Sequence, residues 1–227
     1  MKKIILVILV TFLCTGCWNY KELSELGITT AMSISKEGDE YVLVLELMNI
    51  VDSEKSNLDQ SPITTISGRG KTIFEAARSM NKLTSKIFFL ADVDYVFLDK
   101  SVLTEDPKEI MDFLVRDTRL SLNFLIITSE ETSGEDILSS ISHFNTNSAK
   151  NLYEIINNSE ERFGGIKALH VRDYIASNLE TGSNIIYPNV VVENKDSSNN
   201  KSLENSKSNG SVRVKDMIFF DSDKNIV

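Results

Sequence analysis

Gly70-Lys71-Thr72 stands between a β-branched stretch and an apolar-periodic one, and Tyr95-Val96-Phe97-Leu98-Asp99 ends an apolar run in an aspartate. Two such pieces are the halves of a P-loop nucleotide site, where a glycine-rich backbone wraps a phosphate and an aspartate holds Mg²⁺. That loop requires a glycine five residues before Gly70, and Thr65 occupies the position. Too few backbone N–H groups remain to cradle a phosphate, so the segment reads as a tight glycine turn and a helix N-cap. Asp221-Ser222-Asp223-Lys224-Asn225 imitates the first ligands of a calcium loop, but Ile226 replaces the glycine that turns such a loop. It reads as a polar turn. His143 and His170 lie far apart and outside any Ser, Cys or carboxylate frame. Two Cys and two His provide no paired four-ligand zinc set. Asp112 and Arg116 stand one helical turn apart, the spacing of a surface ion pair. No catalytic constellation, cofactor site or metal site emerges, so the chain reads as a non-enzyme.

The N-terminal segment carries chemistry of another kind. Lys2 and Lys3 precede an apolar run from Ile4 to Leu13, broken only by Thr11. The run is about half the ~20 residues needed to span a bilayer and has the layout of an export signal. Thr15-Gly16-Cys17 follows it directly. Small-small-Cys after such a run resembles the lipobox of bacterial lipoproteins, in which the cysteine sulfur takes a diacylglyceryl group and becomes the new N-terminus. The usual leucine three residues before the cysteine is replaced by Cys14, with Leu13 one place further back. Cys14 itself follows Phe12-Leu13, too bulky for a signal-peptidase pocket. Cys17 is therefore the expected lipidation site, residues 1–16 the signal peptide, and the mature chain is expected to be membrane-anchored rather than membrane-spanning. With one lipid-capped cysteine left, no internal disulfide is expected.

The length suits one large domain or two small ones. The 227 residues are 41% hydrophobic and 25% charged, an ordinary globular balance. The formal charge of −9 repels phosphate backbones, so nucleic acid is not an expected partner.

The elements that must position these residues follow from periodicity. Gly27 to Ser35 and Glu40 to Ile50 are rich in β-branched and aliphatic residues, with turn chemistry at Lys36-Glu37-Gly38-Asp39; this predicts a hairpin. The second strand is apolar on both faces, as in a covered central strand. Thr72 to Leu83 predicts a helix, with a capping box at Thr72 and Glu75 and an apolar face of Ile73, Ala76, Ala77, Met80 and Leu83. Val93 to Asp99 and Leu122 to Thr128 read as strands. Between them a helix opens with Asp106 as N-cap and Pro107 at the first helical position. Ile137, Leu138 and Ile141 mark a short helix, and further helices fit Ala149 to Asn157 and Val171 to Leu179. Pro188 to Glu193 reads as a strand, residues 194–210 as a polar linker, and Ser211 to Phe220 as one more strand. The pattern predicts an α+β fold: a mixed sheet with helices packed on it, in one or two subdomains.

One stretch is more specific. Ser67-Gly68-Arg69-Gly70-Lys71-Thr72-Ile73-Phe74-Glu75-Ala76-Ala77-Arg78 runs on to Ser85-Lys86-Ile87-Phe88-Phe89, followed by Asp112-Phe113-Leu114-Val115-Arg116-Asp117 and Arg119-Leu120. This order closely resembles the Ger(x)C family, the lipoprotein C subunit of bacterial spore germinant receptors. Gly16-Cys17-Trp18-Asn19 with Glu22-Leu23 is similar to that family's mature N-terminus, with Asn19 where Asp is usual. The resemblance runs from Phe12 to Pro188, and Gly210 to Phe220 resembles the opening of the family's later region. Most of the C-terminal half is absent, so residues 211–227 are expected to be the start of a truncated region.

The resemblance implies an α+β protein on the outer face of the inner spore membrane. It implies two integral-membrane partners, the A and B subunits, and a shared role in sensing small nutrients without catalysis. Arg69, Lys71, Arg78, Arg116 and Arg119 match family positions; for the arginines, which flank helices, capping of carbonyls or pairing with acids is the favoured role. The expected function is a membrane-anchored subunit of a spore germinant receptor. The alternative is an envelope lipoprotein that binds a small ligand, such as a transporter's capture subunit. The expected organisation is residues 1–16 as signal, 17–193 as the α+β region, 194–210 as linker and 211–227 as the truncated start. Residues 211–220 are expected to be either weakly docked on the existing sheet or an exposed edge prone to self-association.

Overall fold

Strand β1 (Leu26–Glu37) and strand β2 (Glu40–Met48) form the hairpin expected from two aliphatic-rich runs around a turn. Gly38 turns it with φ of +61°, a conformation that costs a residue with a Cβ 1–2 kcal/mol or so. In this computed structural model the described residues are 21–48, 63–105, 107–140, 148–180, 184–193 and 211–219, together with Lys3. Val42 and Val44 face one side of the sheet and Leu43 and Leu45 the other, and all four are buried. That is why β2 reads as apolar throughout: it lies between β1 and β3 (Ile63–Gly70) with helices on both faces.

The sheet is mixed. β3, β2 and β1 are antiparallel neighbours. On the other edge of β1, β4 (Ile87–Phe89) and then β5 (Tyr95–Leu98) pair with it in parallel, one beyond the other. β6 (Leu125–Ile127) adds to β5 in parallel. A second, two-stranded sheet joins β7 (Ile186–Glu193) to β8 (Ser211–Phe219). It is stitched to the main sheet where Thr128 N donates to Pro188 O at 3.1 Å and Val190 N to Thr128 O at 2.9 Å.

Among the described residues from 21 onward, six α-helices pack on or beside the sheet. Helices α1 (Ile73–Ser79), α3 (Lys108–Arg116) and α6 (Val171–Leu179) close one core around Met32, Leu43, Leu45, Val96 and Ile126. Helices α4 (Gly134–Ser139) and α5 (Ser148–Phe163) close the other around Val44, Phe97, Leu125 and Ile127. The short helix α2 (Lys100–Leu103) links β5 to α3. Both cores take residues from the β7–β8 ribbon: Tyr187 and Ile218 enter the first and Val190 the second. The fold is α+β, as expected.

Several local readings are refined. α1 gives way at Met80 to a 3-10 turn over Met80–Lys82, and Leu83 is exposed rather than part of the apolar face. Thr72 caps α1 by accepting from Glu75 N at 3.2 Å, while the Glu75 carboxylate accepts from Lys71 N at 3.0 Å. Pro107 is the N-cap of α3, its carbonyl accepting from Met111 N at 2.9 Å; Asp106 and Ile141 lie outside the described residues. β4 and α2 carry no sequence periodicity because each is too short to show one.

The terminal strand is docked along its whole length rather than weakly. β8 has a neighbour, matching β7 from Ile186 opposite Phe219 to Glu193 opposite Ser211. The sequence concealed this because the pairing joins segments on either side of residues 194–210.

Candidate functional site

α1 and the turn after it present Phe74, Ala77, Arg78 and Asn81 along one face, at the i, i+3, i+4, i+7 spacing of a helical stripe. α3 presents Phe113 and Arg116, and the chain leaving it adds Asp117, Thr118 and Arg119. Met32, Leu43 and Leu45 form the floor from the sheet, and Phe88 and Leu90 close the β4 side. These residues line a cleft of about 400 Å³. Phe74 and Phe113 meet edge to face at 5.2 Å, bridging the two helices beneath it.

The glycine-rich segment positions one wall. A Cβ on Gly68 would lie 2.2 Å from the Ala76 carbonyl oxygen, and one on Gly70 2.6 Å from the Ala76 amide nitrogen. The chain turns from β3 into α1 over Lys71-Thr72 with Thr72 as N-cap, as expected, and the two glycines additionally let α1 lie close against β3.

Three of the five basic residues singled out from the sequence converge on the cleft and two do not. Arg119 grips Asp117 with two bonds, Nε to Oδ1 at 2.9 Å and Nη2 to Oδ2 at 2.5 Å. Those bonds hold the Asp117 carboxyl below the usual carboxylate range. Arg116 pairs with Asp112 at 2.6 Å, the predicted one-turn pair. Arg78 is exposed and pairs with no acid among the described residues. Arg69 instead meets Glu37 at 2.6 Å on the hairpin end, and Lys71 is exposed at the start of α1. Pairing with acids is thus the observed role for Arg69, Arg116 and Arg119. Asp99 caps α2, accepting from Ser101 N at 2.9 Å. His170 is the N-cap residue of α6 and makes no side-chain cap bond. His143 and Asp221 to Asn225 lie outside the described residues. The cleft was not legible in the sequence; its only trace is Arg78 beside the apolar stripe of α1.

A buried acid lies on the opposite face of the sheet. β1 carries an extra residue at Thr30, between the pairs Thr29–Leu47 and Ala31–Glu46. The bulge lets the Thr30 hydroxyl donate to Glu46 Oε1 at 2.7 Å, while Ser148 of α5 donates to Oε2 at 3.4 Å. Burial pushes the Glu46 carboxyl up to about 7, with nearby Asp94 adding to the rise, and Asp94 itself is raised to about 6 by partial burial. The native state therefore binds a proton more tightly than the unfolded chain. The stability gained from protonated Glu46 is fully present below the ordinary value of 4.5 and is lost as pH rises through about 7. Glu46→Gln should raise stability at pH 8 by up to about 3 kcal/mol and flatten the decline between pH 4.5 and 7. Urea midpoints of wild type and variant across that range are the measurement; parallel curves would contradict it.

The spore germination protein N-terminal domain model matches residues 19–192, most of the chain and every element from β1 to β6. The chain belongs to this family. Two relatives come from Bacillus subtilis (strain 168). Spore germination protein KC is 23% identical over 179 residues, covering 75% of this chain and 44% of the relative. Spore germination protein A3 is 26% identical over 207 residues, covering 85% and 52%. The chain thus spans about half the length of the curated relatives it matches. No solved structure gives a significant match. In family terms the glycine-rich segment, α1 and α3 that build the cleft all lie inside the matched region. Among the described residues, no helix is long and apolar enough to cross a membrane, and no group of three or more His, Cys, Asp and Glu gathers at metal-binding distance. Cys17 lies outside the described residues.

Proposed function

We propose that this spore germination family member is the lipid-anchored, non-catalytic subunit of a germinant receptor. In this reading it is held by Cys17 on the outer face of the inner spore membrane beside integral-membrane A and B subunits. The family match over residues 19–192 carries the reading. Residues 1–16 act as the signal, 17–193 as the α+β region, and 194–210 as a linker to residues 211–227. Two acyl chains, at about 0.8 kcal/mol per buried methylene, make a durable tether. Confinement to the membrane plane raises the effective concentration of the domain near its partners.

The geometry at the start of the fold supports such an attachment. Lys21 lies four residues beyond Cys17, a reach of at most about 14 Å when extended. Leu23, Ile87 and Phe89 are exposed near that entry point, because Ile87 and Phe89 pair with Leu26 and Ile28 at the first residues of β1. Lys86, next to Ile87 in the chain, donates to Ser24 O, next to Leu23. Apolar side chains with a lysine beside them suit a lipid surface.

The test is metabolic labelling with a fatty-acid probe in the sporulating host. Wild type should carry the label and fractionate with membranes. Cys17→Ala should lose the label and leave the spore slow to germinate. Label persisting on the variant, or a wild type recovered free of membranes, would refute the reading.

A further inference from the structure

We infer that the cleft between α1, α3 and the sheet is a binding site for a small monoanion with an apolar body, most simply an aryl or alkyl carboxylate. The inference rests on the cleft's own geometry and not on membrane attachment or receptor assembly.

Three observations carry it. The cleft, at about 400 Å³, falls in the range of small-ligand pockets, which are mostly apolar with a few convergent polar groups. Its accessible lining is divided about evenly between apolar and polar surface: Phe74 and Ala77 are half-buried at its mouth, and Phe88, Phe113, Leu43, Leu45 and Met32 lie buried beneath them. Third, the charge on its rim is unbalanced. Arg119 is occupied by Asp117 and Arg116 by Asp112, whereas Arg78 meets no acid among the described residues. The lining therefore holds one uncompensated positive charge, in a chain of formal charge −9. A second negative charge on the ligand would go unmatched beside Asp117.

The division of labour follows. Arg78 meets the carboxylate, since a guanidinium offers parallel donors that match two carboxylate oxygens. The Arg119–Asp117 clamp fixes the far rim, with the Thr118 hydroxyl and the Asn81 amide as neutral donors beside it. The apolar body lies over the half-buried Phe74 and Ala77, and the edge-to-face contact of Phe74 with the buried Phe113 holds that wall in place.

The experiment titrates the purified full chain, in detergent micelles, with 4-phenylbutyrate while methyl NMR signals of Met32, Leu43 and Leu45 are followed. Saturable shifts are expected. 4-Phenylbutyramide keeps the body and loses the charge, and inorganic phosphate keeps a charge and loses the body; each should bind at least tenfold more weakly. Arg78→Met, at an exposed position, should keep the melting temperature and weaken 4-phenylbutyrate at least tenfold. No saturable shift, equal binding of the amide or of phosphate, or wild-type binding by Arg78→Met would each overturn the assignment. Because the readout is binding to the isolated protein, its failure would leave the receptor reading standing, and failure of the Cys17 test would leave the cleft standing.

Discussion

Replacing Met80 with aspartate should cost about 4 kcal/mol or more and leave the domain largely unfolded at 37 °C. Met80 is fully buried in the core that α1 closes against β2 and β3. Gly68 approaches closely, so that a Cβ there would lie 2.7 Å from Met80 Cγ; the side chain has nowhere to swing. An aspartate at this position finds no partner among Leu43, Leu45 and Ile73 and must either ionise in an apolar site or stay protonated with unsatisfied oxygens. Met80→Leu, which nearly conserves volume, should cost less than about 1.5 kcal/mol. Urea denaturation of the two variants separates charge burial from shape. Equal midpoints would mean that α1 does not seal the core, and the wall of the cleft would fall with it.

Ending the chain at Glu193 should lower the melting temperature by about 10 °C or more. The sequence alone led to the opposite expectation, a dispensable strand whose removal leaves stability unchanged. The structure reverses it for three reasons. β7 would lose the partner that satisfies its edge, from Ile186 to Glu193. Ile218 would leave the first core, and Val212 and Val214 would leave the second. Asn189, fully buried, donates to Asp216 Oδ1 at 2.6 Å while its own oxygen accepts from Glu130 N at 3.2 Å; removing β8 leaves half of that amide unpaired. Together these losses reach several kcal/mol, and each is worth about 2–4 °C in a domain of this size. Calorimetry of both lengths gives the answer, and an unchanged transition would restore the view of residues 211–219 as an appendage.

Local order was legible where one element carries its own signal. The hairpin showed in two apolar runs around Gly38, α1 in the Thr72–Glu75 cap and its stripe, and α6 in the periodicity from Val171 to Leu179. Two short elements, β4 and α2, stayed hidden because each spans little more than one repeat of its own period, too little to show a pattern. Family membership was legible too, since it rests on residue order. The glycines at 68 and 70 were visible as a motif, but their purpose was not: nothing local says which backbone will lie 2.2 Å from a missing Cβ.

The sequence by itself determined the α+β class, the charge, the helix and strand identities of the long segments, the family and the Asp112–Arg116 pair. Those follow from composition, from periods of two and 3.6, and from neighbours within one turn. Only the tertiary structure decided that β8 partners β7, that Glu46 is buried against Thr30 and Ser148, and that Arg78, Arg116 and Arg119 meet around one apolar cleft while Arg69 and Lys71 do not. Each of these joins residues distant in sequence. Their proximity is set by how the sheet orders its strands and which face each helix covers, a property of the packed whole that no window of neighbouring residues contains.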